Sequence, residues 1–403
     1  MKKLSLVAGS LAMALLAGCS TSSVMNTGFN SSDTSSDFRA DGVSKSEVVV
    51  RFNTASVQGL PYTVKKTIKG INASVLVVPA GKTPEQVIAD VKAKYAVKYA
   101  QPVNRIVMDA YDDPMIKDQY SLNITNALKA WDVQKGKMDT MIAVIDSGVD
   151  MTHPDLKDKI VKSYNVFTKD SKVKDDNGHG THCAGIAAAA VGNGVGTAGV
   201  APGCGLMAVQ VLNSQGGGSD QTIADGIVWA ADNGAKVMTM SLGLYKSSKV
   251  IEDALQYALD KDVLLCASAG NNNAQNDPVT APHLPSTYPG VVEVAATDAK
   301  DQKASFSNWG KTVVVAAPGH QILSTVPTYA NGTGKTSYAT MSGTSMASPF
   351  AAGVAGLIRS QHPEWNREQV RKAMETAVTD LGDKGFDQYF GHGRVDALKA
   401  VSL

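Results

Sequence analysis

The sequence is short of cysteine, of net charge and of long apolar runs. Four cysteines in 403 residues are too few for a disulfide scaffold. Lys and Arg total 38 against 37 Asp and Glu, a formal charge of +1. A chain that coats nucleic acid needs a basic excess, so no nucleic-acid partner is expected. Beyond the first twenty residues no stretch approaches membrane-spanning length, and no short-period repeat is present. What is present is a 43% hydrophobic share, ordinary for a globular protein and too high for wholesale disorder. At about 150 residues per domain the length suits two to three units.

Lys2 and Lys3 precede an apolar run from Leu4 to Ala17. This has the form of a secretory signal and is too short to span a bilayer comfortably. The run ends in Leu16-Ala17-Gly18-Cys19, which resembles the bacterial lipobox. The resemblance implies a signal peptide at 1–18, cleavage before Cys19 and acylation of its thiol. Ser20 follows, and a residue other than Asp there implies outer-membrane sorting in Gram-negative lipoproteins. A plain signal peptide that happens to hold a cysteine is the alternative. Residues 19–44, rich in Ser, Thr, Asn, Asp and Gly, read as a flexible tether.

Residues 45–108 read as a small α+β module. Glu47–Phe52 and Ala73–Val78 have strand character. Thr83 is a candidate N-cap, Pro84 suits the first helical position, and Gln86 completes a capping box. Val87, Val91 and Tyr95 recur every four residues and give that helix one apolar face. Val97–Pro102 reads as a short strand closed by its proline. A module of one core layer is marginal alone. From Asp109 onward, apolar runs at Met141–Ile145, Leu206–Leu212, Val237–Met240, Val263–Ala267, Val291–Ala295 and Thr312–Ala316 alternate with helical patterns. The pattern predicts an α/β domain, a parallel sheet with helices on both faces, over 109–403. Residues 45–108 hold ten Lys/Arg against three Asp/Glu, and 109–403 hold 25 against 31. Opposite net charges suit docking of the two parts.

Four places carry candidate chemistry. A hydrophobic strand delivers Asp146 to its carboxyl end in Ile142-Ala143-Val144-Ile145-Asp146, where catalysts gather in open α/β sheets. Asn177-Gly178-His179-Gly180-Thr181-His182-Cys183 places an imidazole at the start of a small-residue helix. Two histidines three apart also allow metal ligation, but the flanking glycines and the small-residue run Ala184–Ala190 fit a tightly packed helix instead. A third strand ends in Ser268-Ala269-Gly270-Asn271, where an amide can donate to a developing oxyanion. Ser345, in Ser342-Gly343-Thr344-Ser345-Met346-Ala347-Ser348-Pro349, opens an apolar run that reads as a buried helix. The free backbone N–H groups at its start face whatever the serine attacks.

In the order Asp, His, Asn, Ser these motifs resemble the subtilisin-like serine proteases, nearest to the thermitase-like and proteinase K-like branches. The similarity runs from about Asp113 to the end and includes Val200-Ala201-Pro202, Ser241-Leu242-Gly243 and Gly391-His392-Gly393-Arg394-Val395-Asp396-Ala397. It implies a subtilisin-like fold. Ser345 is then the nucleophile, His179 the general base, Asp146 its partner and Asn271 an oxyanion donor. His182 becomes structural. Ser241, Leu242 and Gly243 would pair with substrate backbone, and Ser268, Ala269 and Gly270 would form the other wall of the specificity pocket, leaving room for a large apolar or aromatic residue. The pocket floor falls somewhere in Asn272–Pro289.

The resemblance also implies a structural calcium ion, held by Asp113, Asp155, Asn193, Val195 and Thr197. A glycine-rich turn without an ion is the alternative reading. Cys183 resembles the free thiol beside the catalytic histidine of the proteinase K-like branch, Phe350 replaces a histidine found in many relatives, and no disulfide is expected. Residues 45–108 resemble an inhibitory propeptide, with cleavage near Ile106–Tyr111. The expected partners are protein or peptide substrates, the chain's own propeptide and, before maturation, the lipid anchor at Cys19. The expected state is a monomer, and the expected precursor is an envelope lipoprotein released to periplasm or medium on processing. A narrow processing protease and a non-catalytic envelope protein on the same scaffold are the competing functions.

Overall fold

The computed structural model describes residues 43–54, 59–104 and 111–403. The signal segment, Cys19, residues 19–42 of the tether and all but Tyr111 of the expected cleavage stretch lie outside the described residues. The chain divides into two compact units, with the boundary after residue 108.

In the first unit, β1 (Val43–Phe52), β2 (Val64–Ile68), β3 (Ala73–Val77) and β4 (Val97–Asn104) form an antiparallel sheet in the order β2-β3-β1-β4. Its first strand begins two residues inside the stretch read as tether. Helix α1 (Pro84–Lys94) covers one face. Its capping box is formed: the Thr83 hydroxyl accepts the Gln86 N–H at 3.3 Å, and the Gln86 side chain accepts the Thr83 N–H at 2.9 Å. Val87 and Val91 are fully buried against Val48, Val50 and Leu76. Pro102 does not close its strand, which continues to Asn104. The strand lies at a sheet edge, where a missing N–H donor is tolerated. Every residue of β2 is exposed, so it offered no apolar periodicity to read.

The second unit is built on a nine-stranded sheet among the described residues. Its strands are β5 (Met141–Asp146), β6 (Ile160–Asn165), β7 (Gly205–Gln210), β8 (Val237–Met240), β9 (Leu264–Ser268), β10 (Val292–Thr297), β11 (Val313–Pro318), β12 (Val378–Thr379) and β13 (Arg394–Val395). The order is β12-β13-β11-β10-β9-β8-β5-β7-β6, parallel except for β12. Helices α2 (His179–Ala188) and α5 (Thr344–Gln361) pack on one face, and α3 (Asp220–Asp232) and α4 (Lys249–Asp260) on the other. Strand alternation feeds both cores: Ile142 and Val144 point to the α5 side, Ala143 and Ile145 to the α3 side. Helix α5 is buried along nearly its whole length, which explains a sequence apolar all round. The chain crosses from one side of β5 to the other, since β5 lies between β7 and β8. Such a reversal opens a crevice at the carboxyl ends of the strands, where Asp146 ends β5. No helix among the described residues is long and apolar enough to cross a membrane.

Candidate active site

Asp146 is 1% exposed. Its Oδ1 lies 2.8 Å from His179 Nδ1 and also accepts the Ser147 N–H at 2.7 Å. His179 is the first residue of α2, and two features bring it onto the strand end. Gly180 packs so closely that a methyl there would meet the Gly148 carbonyl oxygen at 2.1 Å. The buried Asp175 carboxylate accepts the N–H groups of Gly178 and Thr181 at 2.8 and 2.9 Å and the Ser147 hydroxyl at 2.9 Å. Asp175 was not among the expected site residues. Its signal is an acid three residues ahead of the helix N-cap, Gly178.

Burial opposes charge on His179. The Asp146 carboxylate outweighs that and holds the imidazole well above its ordinary pKa. His182 behaves oppositely. Burial lowers it to about 4, and its Nε2 donates to the carbonyls of Ile322 and Ala339, both at 3.1 Å.

Ser345 stands in the first turn of α5. Pro349, four residues on, has no N–H to give the Ser345 carbonyl. That carbonyl is held instead by the Ser241 hydroxyl at 2.8 Å and the Cys183 thiol at 3.4 Å. Ser241, the residue that follows strand β8, and helix α2 thereby fix the serine backbone. The Ser345 hydroxyl donates to the Ser241 carbonyl at 3.4 Å and makes no hydrogen bond to His179. Asn271 follows β9 and Gly270. Its Oδ1 accepts both the N–H and the hydroxyl of Thr344, at 2.8 and 2.9 Å. A methyl built on Gly343 would lie 3.6 Å from both Asn271 Nδ2 and the Ser345 backbone N and 3.7 Å from Asn271 Oδ1. The Asn271 amide and the Ser345 N–H thus border one small space beside the serine. A cavity of about 410 Å³ runs from Asp146 and His179 past Ser241, Leu242 and Gly243 to Ile223 and Ile251.

Residues 137–393 match the subtilase family, peptidase family S8. The chain belongs to the subtilase family. It is 43% identical to thermitase of Thermoactinomyces vulgaris over 291 residues, covering 72% of this chain and 98% of thermitase. It is 39% identical to subtilisin E of Bacillus subtilis over 260 residues, covering 64% and 65% of the two chains. Among solved structures it resembles a protease of Pseudoalteromonas arctica (TM-score 0.66, 30% identity, 73% of this chain and 99% of that one). It also resembles fervidolysin of Fervidobacterium pennivorans, a keratinolytic enzyme related to subtilisin (TM-score 0.65, 27% identity, 91% and 62%). By these relationships this subtilase is a serine endopeptidase with a subtilisin-like fold.

The subtilase's remaining candidates gather on the loop after α2. Asp113 and Asp155 are buried. Asp113 accepts the N–H groups of Gly192 and Asn193 at 2.7 and 3.1 Å. Asp155 accepts the Asn193 amide at 3.0 Å and the Thr197 N–H at 3.1 Å, and burial pushes its carboxyl up. Thr197 Oγ1 is buried without a partner, and Val195 offers a carbonyl. An all-oxygen donor set, with two buried carboxylates lacking an ion-pair partner among the described residues, fits a hard divalent cation. Two unforeseen neighbours are Asp112, which accepts the Gly194 N–H at 3.2 Å, and Tyr338, whose ring lies against Gly196. Cys183, Cys204 and Cys266 are all buried and free.

Proposed function

We propose that Ser345, His179 and Asp146 form the catalytic triad of a secreted, self-maturing endopeptidase. The observation that carries this reading is the 2.8 Å contact of His179 Nδ1 with Asp146, in a cleft also lined by Ser241, whose carbonyl accepts the Ser345 hydroxyl from the start of a buried helix. With Nδ1–H directed at the carboxylate, Nε2 is the free base. The Ser345 hydroxyl turns from the Ser241 carbonyl to Nε2 when substrate binds, since such contacts tighten only in the complex. Its oxygen attacks the scissile carbonyl carbon while the proton passes to His179. The Asn271 amide and the Ser345 N–H receive the developing oxyanion. The C–N bond then breaks, His179 protonates the leaving amine, and water hydrolyses the acyl-enzyme by the same route.

Ser241, Leu242 and Gly243 pair with the substrate backbone, which gives affinity with little side-chain discrimination. Ser268, Ala269 and Gly270 face them across a pocket for a large apolar or aromatic residue before the scissile bond. Asp113, Asp155, Asn193, Val195 and Thr197 would hold a calcium ion that braces the loop and takes no part in the chemistry. Residues 45–108 act as the inhibitory propeptide. The precursor is anchored in the outer membrane through Cys19, and cleavage near 106–111 releases the enzyme from that anchor.

Intact masses of wild type and Ser345→Ala, both expressed without the signal segment, test the reading. Wild type is expected to lose the propeptide near residue 108 while the variant stays full length. Identical processing of both would refute self-maturation. In cells that express the full precursor, signal included, mature enzyme recovered on membranes with residues 20–44 attached would refute release.

A further inference from the structure

One hairpin holds the helix of the catalytic histidine at two places. Its strands, Ile322–Thr325 and Tyr338–Met341, pair antiparallel, and the second leads into the turn before Ser345. The Thr325 and Ser324 hydroxyls donate to the Thr181 and His182 carbonyls in the first turn of α2, at 2.8 and 3.0 Å. The hairpin tip, 328–336, lies on the strap of residues 175–178 just ahead of that helix. The Gly332 N–H donates to the Asp176 carbonyl at 2.9 Å, and the Tyr329 hydroxyl accepts the Asp175 N–H at 3.1 Å. The strap ends in Gly178, whose φ of +101° favours glycine. A methyl built there would meet Thr333 Cγ2 at 2.6 Å and Asn331 Oδ1 at 2.8 Å. The most pliable link before His179 is thus held from outside by the tip.

The tip owes its own shape to one side chain. Asn331 Nδ2 donates to the carbonyls of Tyr329 and Lys335, both at 2.8 Å. Its Oδ1 accepts the Thr333 N–H at 2.9 Å and the Thr333 hydroxyl at 2.5 Å. Residues 326–337 belong to no strand or helix and include Gly332 and Gly334. The amide therefore supplies the bracing that backbone pairing gives a strand. The cavity beside Asp146 and His179 is lined from other segments, so the tip bears on the reaction through the strap and His179.

We infer that Asn331 is a positioning residue for the catalytic base. It stiffens the hairpin tip, the tip clamps the 175–178 strap, and the strap sets where His179 Nε2 stands against Ser345. One element thereby carries both the approach to the nucleophile and the clamp on its base. The inference rests on the reading of Ser345, His179 and Asp146 as the triad and deepens it.

The test compares Asn331→Ala with wild type, each expressed without the signal segment and matured. Titration with an active-serine reagent counts competent sites, so that kcat refers to those alone. Asn331→Ala is expected to lower kcat about 10- to 100-fold, the scale of a misplaced catalytic group. KM should stay within about twofold, because no substrate contact is removed. Hydrogen exchange read by mass spectrometry should quicken in the peptide covering 176–182 and stay unchanged in the one covering β10. If Asn331→Ala fails to fold, Tyr329→Phe decides. It removes one hydroxyl and its bond to the Asp175 N–H, and should lower kcat about threefold, the scale of one hydrogen bond, with the same local exchange. A lower Tm with kcat per site and exchange at 176–182 unchanged marks a purely structural loop and overturns the inference, as does a loss carried by KM alone. No cleavage and no labelling of wild type overturns the protease reading and the inference with it.

Discussion

Thr344→Val removes one hydroxyl at nearly constant volume from a fully buried position. That hydroxyl donates to Asn271 Oδ1 at 2.9 Å and accepts the buried Gly270 N–H at 3.0 Å. The Thr344 backbone N–H still reaches Oδ1 at 2.8 Å, so the amide keeps one of its two restraints. Loss of the other lets the oxyanion donor wander. At about 1–2 kcal/mol for a hydrogen bond of this kind, and 1.36 kcal/mol per tenfold in rate, kcat should fall about 5- to 30-fold. KM should hardly change, because the ground-state carbonyl gains little from the amide. Gly270 is left with a buried, unpaired N–H, which costs a further ~1–3 kcal/mol of stability and lowers Tm by a few degrees. Steady-state kinetics on a chromogenic peptide and a thermal melt measure both effects. The decisive comparison is a double-mutant cycle. If Thr344 acts through Asn271, the rate effect of Thr344→Val should nearly vanish in an Asn271→Ala background. An undiminished loss there would refute the reasoning. Asn271→Ala alone should cost about 10²–10³ in kcat, a scale set on subtilisin itself.

Two further outcomes follow from the site. His179 is a base only when neutral, and Asp146 holds its pKa above the ordinary value, so kcat/KM should climb with pH along a limb centred above about 6.5. The ion pair's stabilisation is complete below the unfolded pKa and is lost as pH rises through the folded one. Asp146→Asn should shift that limb downward and lower kcat about 10⁴-fold, and a pH–rate profile with an unmoved limb would count against the pairing. Calcium at a hundred times its Kd would add ~2.7 kcal/mol. Chelation should therefore lower Tm by about 5–10 °C, and Asp155→Ala should abolish the shift. A melt indifferent to chelator would rule out an ion at this loop.

The sequence by itself determined whatever depends on neighbours a few positions apart. The alternating runs set a parallel sheet. The capping box at Thr83 and Gln86 set a helix start, and both formed as read. Asp146, His179 and Ser345 stand out as candidates in the sequence because each lies at the end of an element whose apolar pattern marks where that end falls. Edge elements were less so: β2 has no buried residue, and Pro102 suggested an end the edge strand does not need. Tertiary structure alone decided the pairings between distant segments. Pro349 frees the Ser345 carbonyl, but only packing shows that Ser241, 104 residues earlier, and Cys183, 162 earlier, take it. The amide of Asn271 is held by Thr344, 73 residues on. Asn331 reaches Gly178 only because the strands Ile322–Thr325 and Tyr338–Met341 pair beneath it. Local spacing fixes which hydrogen bonds a segment can satisfy within itself. The donors and acceptors left over find partners only when the sheet brings remote strand ends together.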